Sequence, residues 1–489
     1  MRRSLLFSPL MLAASVIPAG AQATAPAPLI IGGGVVLSAS IRSRTYGWNW
    51  FGDSPAGDYV HQGTQVRFGL ARSRARYDWQ VEFEVPFMLG LPADAVAPPP
   101  QGQLGLGASY FAANDNSRNP AALFLKQAFV RFKGLGGIAG QSLKIGRQEF
   151  NEGLEVTPKN AALATLNRDR ISQRVLGNFG FSDVLRSLDA AQYVLSTPTL
   201  NVTALAGRPT EGVFQVSGWS ELDINVFYGS VTGQSGGDRH PAHWRVFGFG
   251  YHDYRDGVLK TDNRSAAARA ADTDTIAIGT FGGNFLQVAS TPVGPVDLLF
   301  WGVVQTGSWG TLSHRAGAFA AEAGWQPAAL PRLRPWVRAG YNYSSGDGNP
   351  DDDEHGTFFQ GLPTARIYAR MPFFNLMNNV DAFGGLVLRP STRVTLRGDV
   401  HALSLADESD LWYAGGGAFQ DTTFGFSGRP SNGRTGLATL YDVSSDVTLH
   451  ARVALTLYYA YARSGGVTRA IFPTSRSARL AYMEWLVRF

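Results

Sequence analysis

"ARLAYMEWLVRF" occupies residues 478–489. Counting back by twos from Phe489 gives Val487, Trp485, Met483 and Ala481, an apolar stripe, while the other phase carries Arg488, Glu484 and Tyr482. Strict alternation of this kind marks a strand with one apolar and one polar face. An edge strand at a chain terminus is normally blunted by charge or proline. This one is left hydrophobic, so its apolar side is expected to meet something other than water.

The opposite end shows where the chain is sent. "MRRSLLFSPLMLAASVIPAGAQA" has a positive start (Arg2, Arg3), an apolar stretch from Leu5 to Ile17 and small residues suited to cleavage after Ala21 or Ala23. The apolar stretch is short and broken by Pro9 and Pro18, so residues 1–23 read as a secretory signal peptide rather than a membrane anchor. That leaves 24–489 as the mature domain. No later run of about 18 apolar residues exists, so no helix is expected to cross a bilayer. Mean hydropathy of −0.08 and an aromatic share of 12% suit either a soluble β protein or a transmembrane β-barrel. There are no cysteines, so disulfides hold nothing together despite export. The formal charge is +5, and of 43 basic residues only five are lysine (126, 133, 144, 159 and 260). An arginine-dominated surface suits bidentate contact with carboxylates or phosphates.

Eighteen alternating segments can be placed between 29–43 and 478–489, with no long amphipathic helix among them. Connections after even-numbered segments are mostly tight, as in "RSRA", "STPT", "RPST" and "VSSD". Those after odd-numbered segments are mostly long, spanning 89–122, 150–187, 345–377 and 405–434. Short turns on one side and long loops on the other characterise an outer-membrane barrel; a soluble sandwich has no reason to sort its loops by parity. The fold expected is therefore an all-β, antiparallel up-and-down transmembrane barrel of about 18 strands.

The polar faces agree. In "VTLRGDVHALS" (394–404), Val394, Leu396, Val400 and Ala402 oppose Arg397, Asp399 and His401. Arg338 and Asn342 oppose Val337, Ala339 and Tyr341; Gln80, Glu82 and Glu84 oppose Val81, Phe83 and Val85. Segment 446–462 sets Leu449, Val453, Leu455 and Leu457 against His450, Arg452 and Thr456. Charges of both signs on an inner face fit a water-filled lumen, and only a closed sheet crosses lipid with its backbone groups paired. The terminal strand would then close against the first, with its apolar face in lipid.

Four stretches carry a family resemblance: "LFLKQAFVRFKGLGGIAGQSLKIGRQEF" (123–150), "WSELDINVFYG" (219–229), "YNYSSGDGNPDDDEHGTFFQGLPTARIYARM" (341–371) and "SLADESDLWYAGGG" (404–417). Together they resemble the alginate export family of outer-membrane barrels, over most of the mature chain. That resemblance implies an eighteen-stranded barrel that passively exports an anionic polysaccharide through an arginine-lined constriction, in the outer membrane of a Gram-negative cell. It also implies that a terminal Phe is read by the barrel assembly machinery. Carried over by motif, Arg131 in "FVRFKG" and Arg147 in "IGRQ" match constriction residues, and Arg42 and Arg67 take corresponding inward phases on the first two strands. Arg338, Arg397 and Arg452 are further pore-lining candidates from their polar phases. Strict alternation places Arg147 in the phase of Leu143 and Ile145, so either a bulge at Gly146 re-aims it or it belongs to the loop rim. The family also implies gating by an outer loop, here 89–122, and by a periplasmic flap, here 231–242 ("VTGQSGGDRHPA").

Other chemistry is thinly supported. "HPAH" (His240, His243) lacks a nearby carboxylate, and "DGNPDDDE" (347–354) has Asp352 where a calcium loop needs glycine. No metal or cofactor is expected, nor nucleic acid. His401 beside Asp399 raises an outer-membrane hydrolase, but no serine motif accompanies it. The main alternative function is a general anion-selective porin for small-molecule uptake; a soluble secreted β protein is the alternative of another class. The expected partners are an anionic polysaccharide or small anions and the lipid bilayer, with a periplasmic export complex as a further candidate around a monomeric barrel.

Overall fold

The computed structural model describes residues 29–51, 55–364, 369–474 and 476–489. The expected signal peptide lies outside them. Eighteen antiparallel strands form the wall. The first nine are β1 (Val35–Asn49), β2 (Asp58–Ser73), β3 (Tyr77–Leu89), β4 (Phe124–Lys133), β5 (Gln141–Gln148), β6 (Leu188–Ser196), β7 (Leu200–Pro209), β8 (Ile224–Ser235) and β9 (Ala242–Asp253). They continue as β10 (Ile276–Ala289), β11 (Val296–Trp309), β12 (Leu312–Trp325), β13 (Trp336–Ser344), β14 (Asn379–Ser391), β15 (Val394–Ser404), β16 (Gly436–His450), β17 (Val453–Ser464) and β18 (Ser477–Arg488). Each pairs with its sequence neighbours, and β18 closes on β1 with Ile41 opposite Val487 and Tyr46 opposite Tyr482. Closure leaves no strand edge, the condition for a sheet to span lipid.

The alternation read at 478–489 is what the wall does. Met483, Trp485 and Phe489 are exposed on the outer face, whereas Leu480, Tyr482 and Glu484 are buried inside. The same holds on β3, where Gln80, Glu82 and Glu84 are buried opposite exposed Val81. Most turns after even strands are short (74–76, 197–199, 392–393, 451–452), with 326–335 the longest of them, and most loops after odd strands are long (90–123, 149–187, 254–275, 345–378, 405–435). The odd connection 310–311 breaks the pattern, being a tight turn between β11 and β12.

Two boundaries differ from expectation. The turn expected at "VSSD" falls instead at 451–452, and Ser444, Ser445 and Asp446 lie within β16. Asp446 is buried and accepts the Thr456 hydroxyl at 2.7 Å. Polar residues that face a lumen have the same composition as a turn, which is why the two read alike. Half of the flap expected over 231–242 is sheet: residues up to Ser235 belong to β8, Ala242 opens β9, and the six residues 236–241 connect them. Gly233 is there for packing, since a Cβ at that position would meet the Trp244 ring at 2.5 Å. The short link is tied down by backbone bonds from Val288 to Pro241 and from Ser290 to Arg239.

The packed interior lies inside the barrel, because the long loops fold into it. The helix Leu106–Ala113 brings Tyr110 against Phe214. At the end of β1, Phe51 meets Phe373, Trp412 and Phe472 at centroid distances of 5.7, 6.4 and 5.8 Å. Each fully buried aromatic of this kind contributes on the order of 1.5–3 kcal/mol, so the outer loops form a cohesive cap over the mouth.

Candidate channel and constriction

The loop 149–187 fills the middle of the lumen. It opens with Glu149, which reaches Arg67 of β2 at 3.3 Å and Lys126 of β4 at 3.6 Å. Glu152 then bonds Arg245 of β9. A short helix, Ala161–Leu166, starts at Asn160, whose side-chain oxygen accepts from the backbone of Ala162 and Leu163. This is N-capping of the usual kind, relieving two orphan donors. The following turn, Asn167–Ile171, projects Arg168, Asp169 and Arg170. Arg170 meets Glu322 of β12 at 3.1 Å, and Asp169 meets Arg397 of β15 at 3.5 Å. The chain then returns to β1, where Arg42 donates to the carbonyls of Gly180 (3.0 Å) and Ser182, and Arg44 to that of Phe181. One loop is thus pinned to most of the circumference.

Residues 179–181 form a septum between two cavities. Phe179 lines the outer one; Gly180 and Phe181 line the inner one. The inner chamber has a volume of about 190 Å3 and is walled by the loop on one side and by β13–β18, β1 and part of loop 345–378 on the other. Seven arginines line it: Arg44, Arg168, Arg170, Arg338, Arg370, Arg389 and Arg397. The carboxylates in the same lining are Asp169, Asp399 and Asp442. Others sit behind the arginines and hold them: Glu484 takes Arg44, Asp297 and Glu322 take Arg338, and Asp446 takes Arg370 at 3.4 Å. Burial pushes the Asp169 carboxyl up, but Arg168, Arg397 and Arg170 outweigh burial and hold it below the usual aspartate range. It stays ionised and orients Arg397. Arg389 stacks 5.3 Å from Trp336 and has no carboxylate in salt-bridge reach among the described residues. A narrow space whose lining presents more guanidinium groups than carboxylates, with the balancing carboxylates set behind the arginines, offers a passing anion charge-assisted contacts in succession.

The seven sequence candidates separate in the structure. Arg338 and Arg397 line the chamber. Arg42 faces inward but is committed to the loop, and Arg67 is buried between Glu82 and Glu149. Arg131 faces inward near the turn side, half open to solvent and bonded to Asp78. Arg147 does not line the pore. The pairing runs through Gly146 without a register shift, so Arg147 keeps the outer phase of Ile145 and is held by Asp189 and the Gly218 carbonyl at the loop rim. Arg452 is also not in the lumen: it is exposed in the turn 451–452. Glu82 and Asp399, on the polar faces read from their strands, do face inward.

Reading by alternation missed Arg44, Arg168, Arg170, Arg370 and Arg389. Arg44 shares the phase of Arg42 but lies one residue beyond the segment 29–43 that the sequence marks out. Arg168 and Arg170 alternate in "NRDRI" within a loop, where no strand period draws attention to them. His401, raised as a catalytic candidate, bonds Asp381 at 3.0 Å and stacks on Phe383, an internal wall contact. His243 is buried on β9 beside Arg245, while His240 is exposed in the turn.

A family model for alginate export matches residues 108–481. The chain belongs to the alginate export family. No curated protein sequence matches it. Among solved structures, its fold is similar to that of outer-membrane protein OpdK from Pseudomonas aeruginosa (9% identity, TM-score 0.53, 93% of this chain and 98% of that one). OccK9 (OpdG) from the same organism has TM-score 0.57 at 9% identity with the same coverage. OccAB4 of Acinetobacter baumannii has TM-score 0.53, again at 9% identity over 93% and 98%. This member of the alginate export family is a closed eighteen-stranded barrel and an outer-membrane channel of a Gram-negative cell.

Proposed function

We propose that this channel passes carboxylate-bearing solutes, with the arginine chamber as its selective step and single sugar acids or short oligouronates as the permeants. The chamber carries this reading. Its seven arginines outnumber the three carboxylates lining it, and guanidinium groups match carboxylates in geometry as well as charge. Several moderate sites in succession let an anion move from one to the next without being trapped. The volume of about 190 Å3 and the pinned loop suit a permeant of one ring or a few rings.

The family match favours a second reading, export of an alginate-like polyuronate chain, which requires the loop 149–187 to swing away from Arg42, Arg44 and Arg397. Planar-bilayer recordings with galacturonate and oligouronates of increasing length separate the two. In the first reading short forms permeate and longer ones only block. In the second, long chains traverse at a rate set by voltage and length. A pore with no preference for chloride over potassium overturns both.

A further inference from the structure

The outer cavity, beyond the septum, differs in kind from the arginine chamber. Its volume is about 360 Å3, at the low end of the roughly 300–1,000 Å3 typical of small-molecule sites. Phe179, Phe214, Phe419, Phe424 and Phe426 line it, drawn from the septum and two outer loops. Their edge-to-face and tilted contacts (5.7 Å for Phe179–Phe214, 5.4 Å for Phe214–Phe419, 6.0 Å for Phe424–Phe426) keep the rings fixed.

Two polar groups in this lining are left without the partners that burial demands. Arg429 is 5% exposed. Its Nε and Nη2 donate to the carbonyls of Gln101 and Gln103, both at 2.9 Å, while Nη1 has no hydrogen bond and no carboxylate stands within salt-bridge reach among the described residues. Its charge rests against the Trp412 and Trp50 rings, at 4.8 and 5.9 Å. Burial alone pushes this guanidinium down to about 10. The second group is Trp50, 3% exposed, whose indole Nε1–H has no acceptor among the described residues. A buried cation without a counter-charge and a buried donor without an acceptor each cost free energy, and both costs fall if one anionic acceptor arrives.

We infer that the outer cavity is a binding site for a single-ring aromatic carboxylate, its ring between the phenylalanines and its carboxylate at Arg429 and the Trp50 N–H. The site rests on the reading of the barrel as a carboxylate channel and adds a station that selects for an apolar ring. A uronate ring fits it poorly, since its hydroxyl groups would be buried against phenyl faces with few partners. The septum geometry makes the site sequential with the chamber: Phe179 touches the ligand's cavity, and the next two residues touch the arginines' cavity.

The test is block of single-channel current by probes added to the outer side. Benzoate is expected to block with longer residence than benzyl alcohol or galacturonate, by tenfold or more. Arg429→Gln should shorten benzoate residence at least tenfold and Trp50→Phe severalfold, while the chloride-over-potassium preference set by the inner chamber stays unchanged. Loss of that preference in wild-type protein would count against the channel reading instead. Galacturonate blocking as long as benzoate, or benzoate block unaltered in Arg429→Gln, overturns the site. If Arg429→Gln does not assemble, the comparison of the three probes on the wild type decides alone, with equal residence of benzoate and benzyl alcohol as the overturning result.

Discussion

Arg42 of the barrel wall donates to the carbonyl of Gly180 at 3.0 Å, joining the first strand to the loop that divides the lumen. The bond joins residues 138 positions apart in sequence, and a second donor from the same guanidinium reaches Ser182. A charged donor serving buried carbonyls contributes about 1.5–3 kcal/mol. Arg42→Ala should therefore free the septum locally. Losing about 2 kcal/mol raises the open fraction of the loop roughly thirtyfold. Single-channel recordings should show larger conductance and more frequent steps, with heat-modifiability on gels retained because the wall pairing is untouched. Conductance equal to wild type would show that the loop is held by its other anchors.

Anion preference should follow the chamber and not the arginine count. Arg397→Glu and Arg338→Glu place a negative charge among the remaining arginines, and at an effective dielectric of about 20 each such change is worth on the order of 2 kcal/mol to a passing anion. The chloride-to-potassium permeability ratio should fall by about an order of magnitude. Arg452→Glu, in the exposed turn, and Arg147→Glu, on the outer phase, should leave reversal potentials near wild type. An equal effect from all four would mean that overall charge, rather than the chamber, sets selectivity.

Much of this architecture was readable from residues because a barrel wall is the most local of folds. The period of two on β3, β15 and β18 reports lipid on one side and lumen on the other, and the parity of connections reports topology. The places where reading failed share a physical cause. Ser444 and Asp446 are polar because they face the lumen, and with Ser445 between them on the outer phase the three read as a turn, so the sequence ends one segment at 444 and carries Arg452 into the next. Arg168, Arg170 and the septum at 179–181 are set by a long loop whose path depends on contacts with six or more strands, and no local period encodes such contacts. Arg147 was the instructive case. The family resemblance placed it in the pore, alternation placed it outside, and the strand register follows alternation.

Topology gives a direct chemical check. Arg452→Cys, in the turn 451–452, should react with a membrane-impermeant thiol reagent only after the outer membrane is opened. Asp352→Cys, in the exposed acidic part of loop 345–378, should react on intact cells. Both positions are exposed, and the chain has no other cysteine to confuse the signal. The reverse pattern would invert the barrel in the membrane.

A final prediction concerns acid. His355, at the start of the inward path of loop 345–378, is fully buried, stacks on Trp309 at 4.1 Å and shares a 2.9 Å contact between its Nδ1 and that of His314. Gln305 Oε1 accepts both the Phe359 backbone N–H and His314 Nε2. His314 therefore carries its proton on Nε2, and its Nδ1 accepts from His355. Burial first, then the neighbouring His314 and Arg264, push His355 well below the ordinary histidine range. The docked loop thus binds fewer protons than the released one, so its stability is complete above about pH 6.5 and is lost as pH falls below that value. Channel records at pH 5 should show more loop-opening steps than at pH 7.5. His355→Gln, which cannot gain a charge, should remove most of this dependence. Identical pH profiles for the two proteins would assign acid gating to another group.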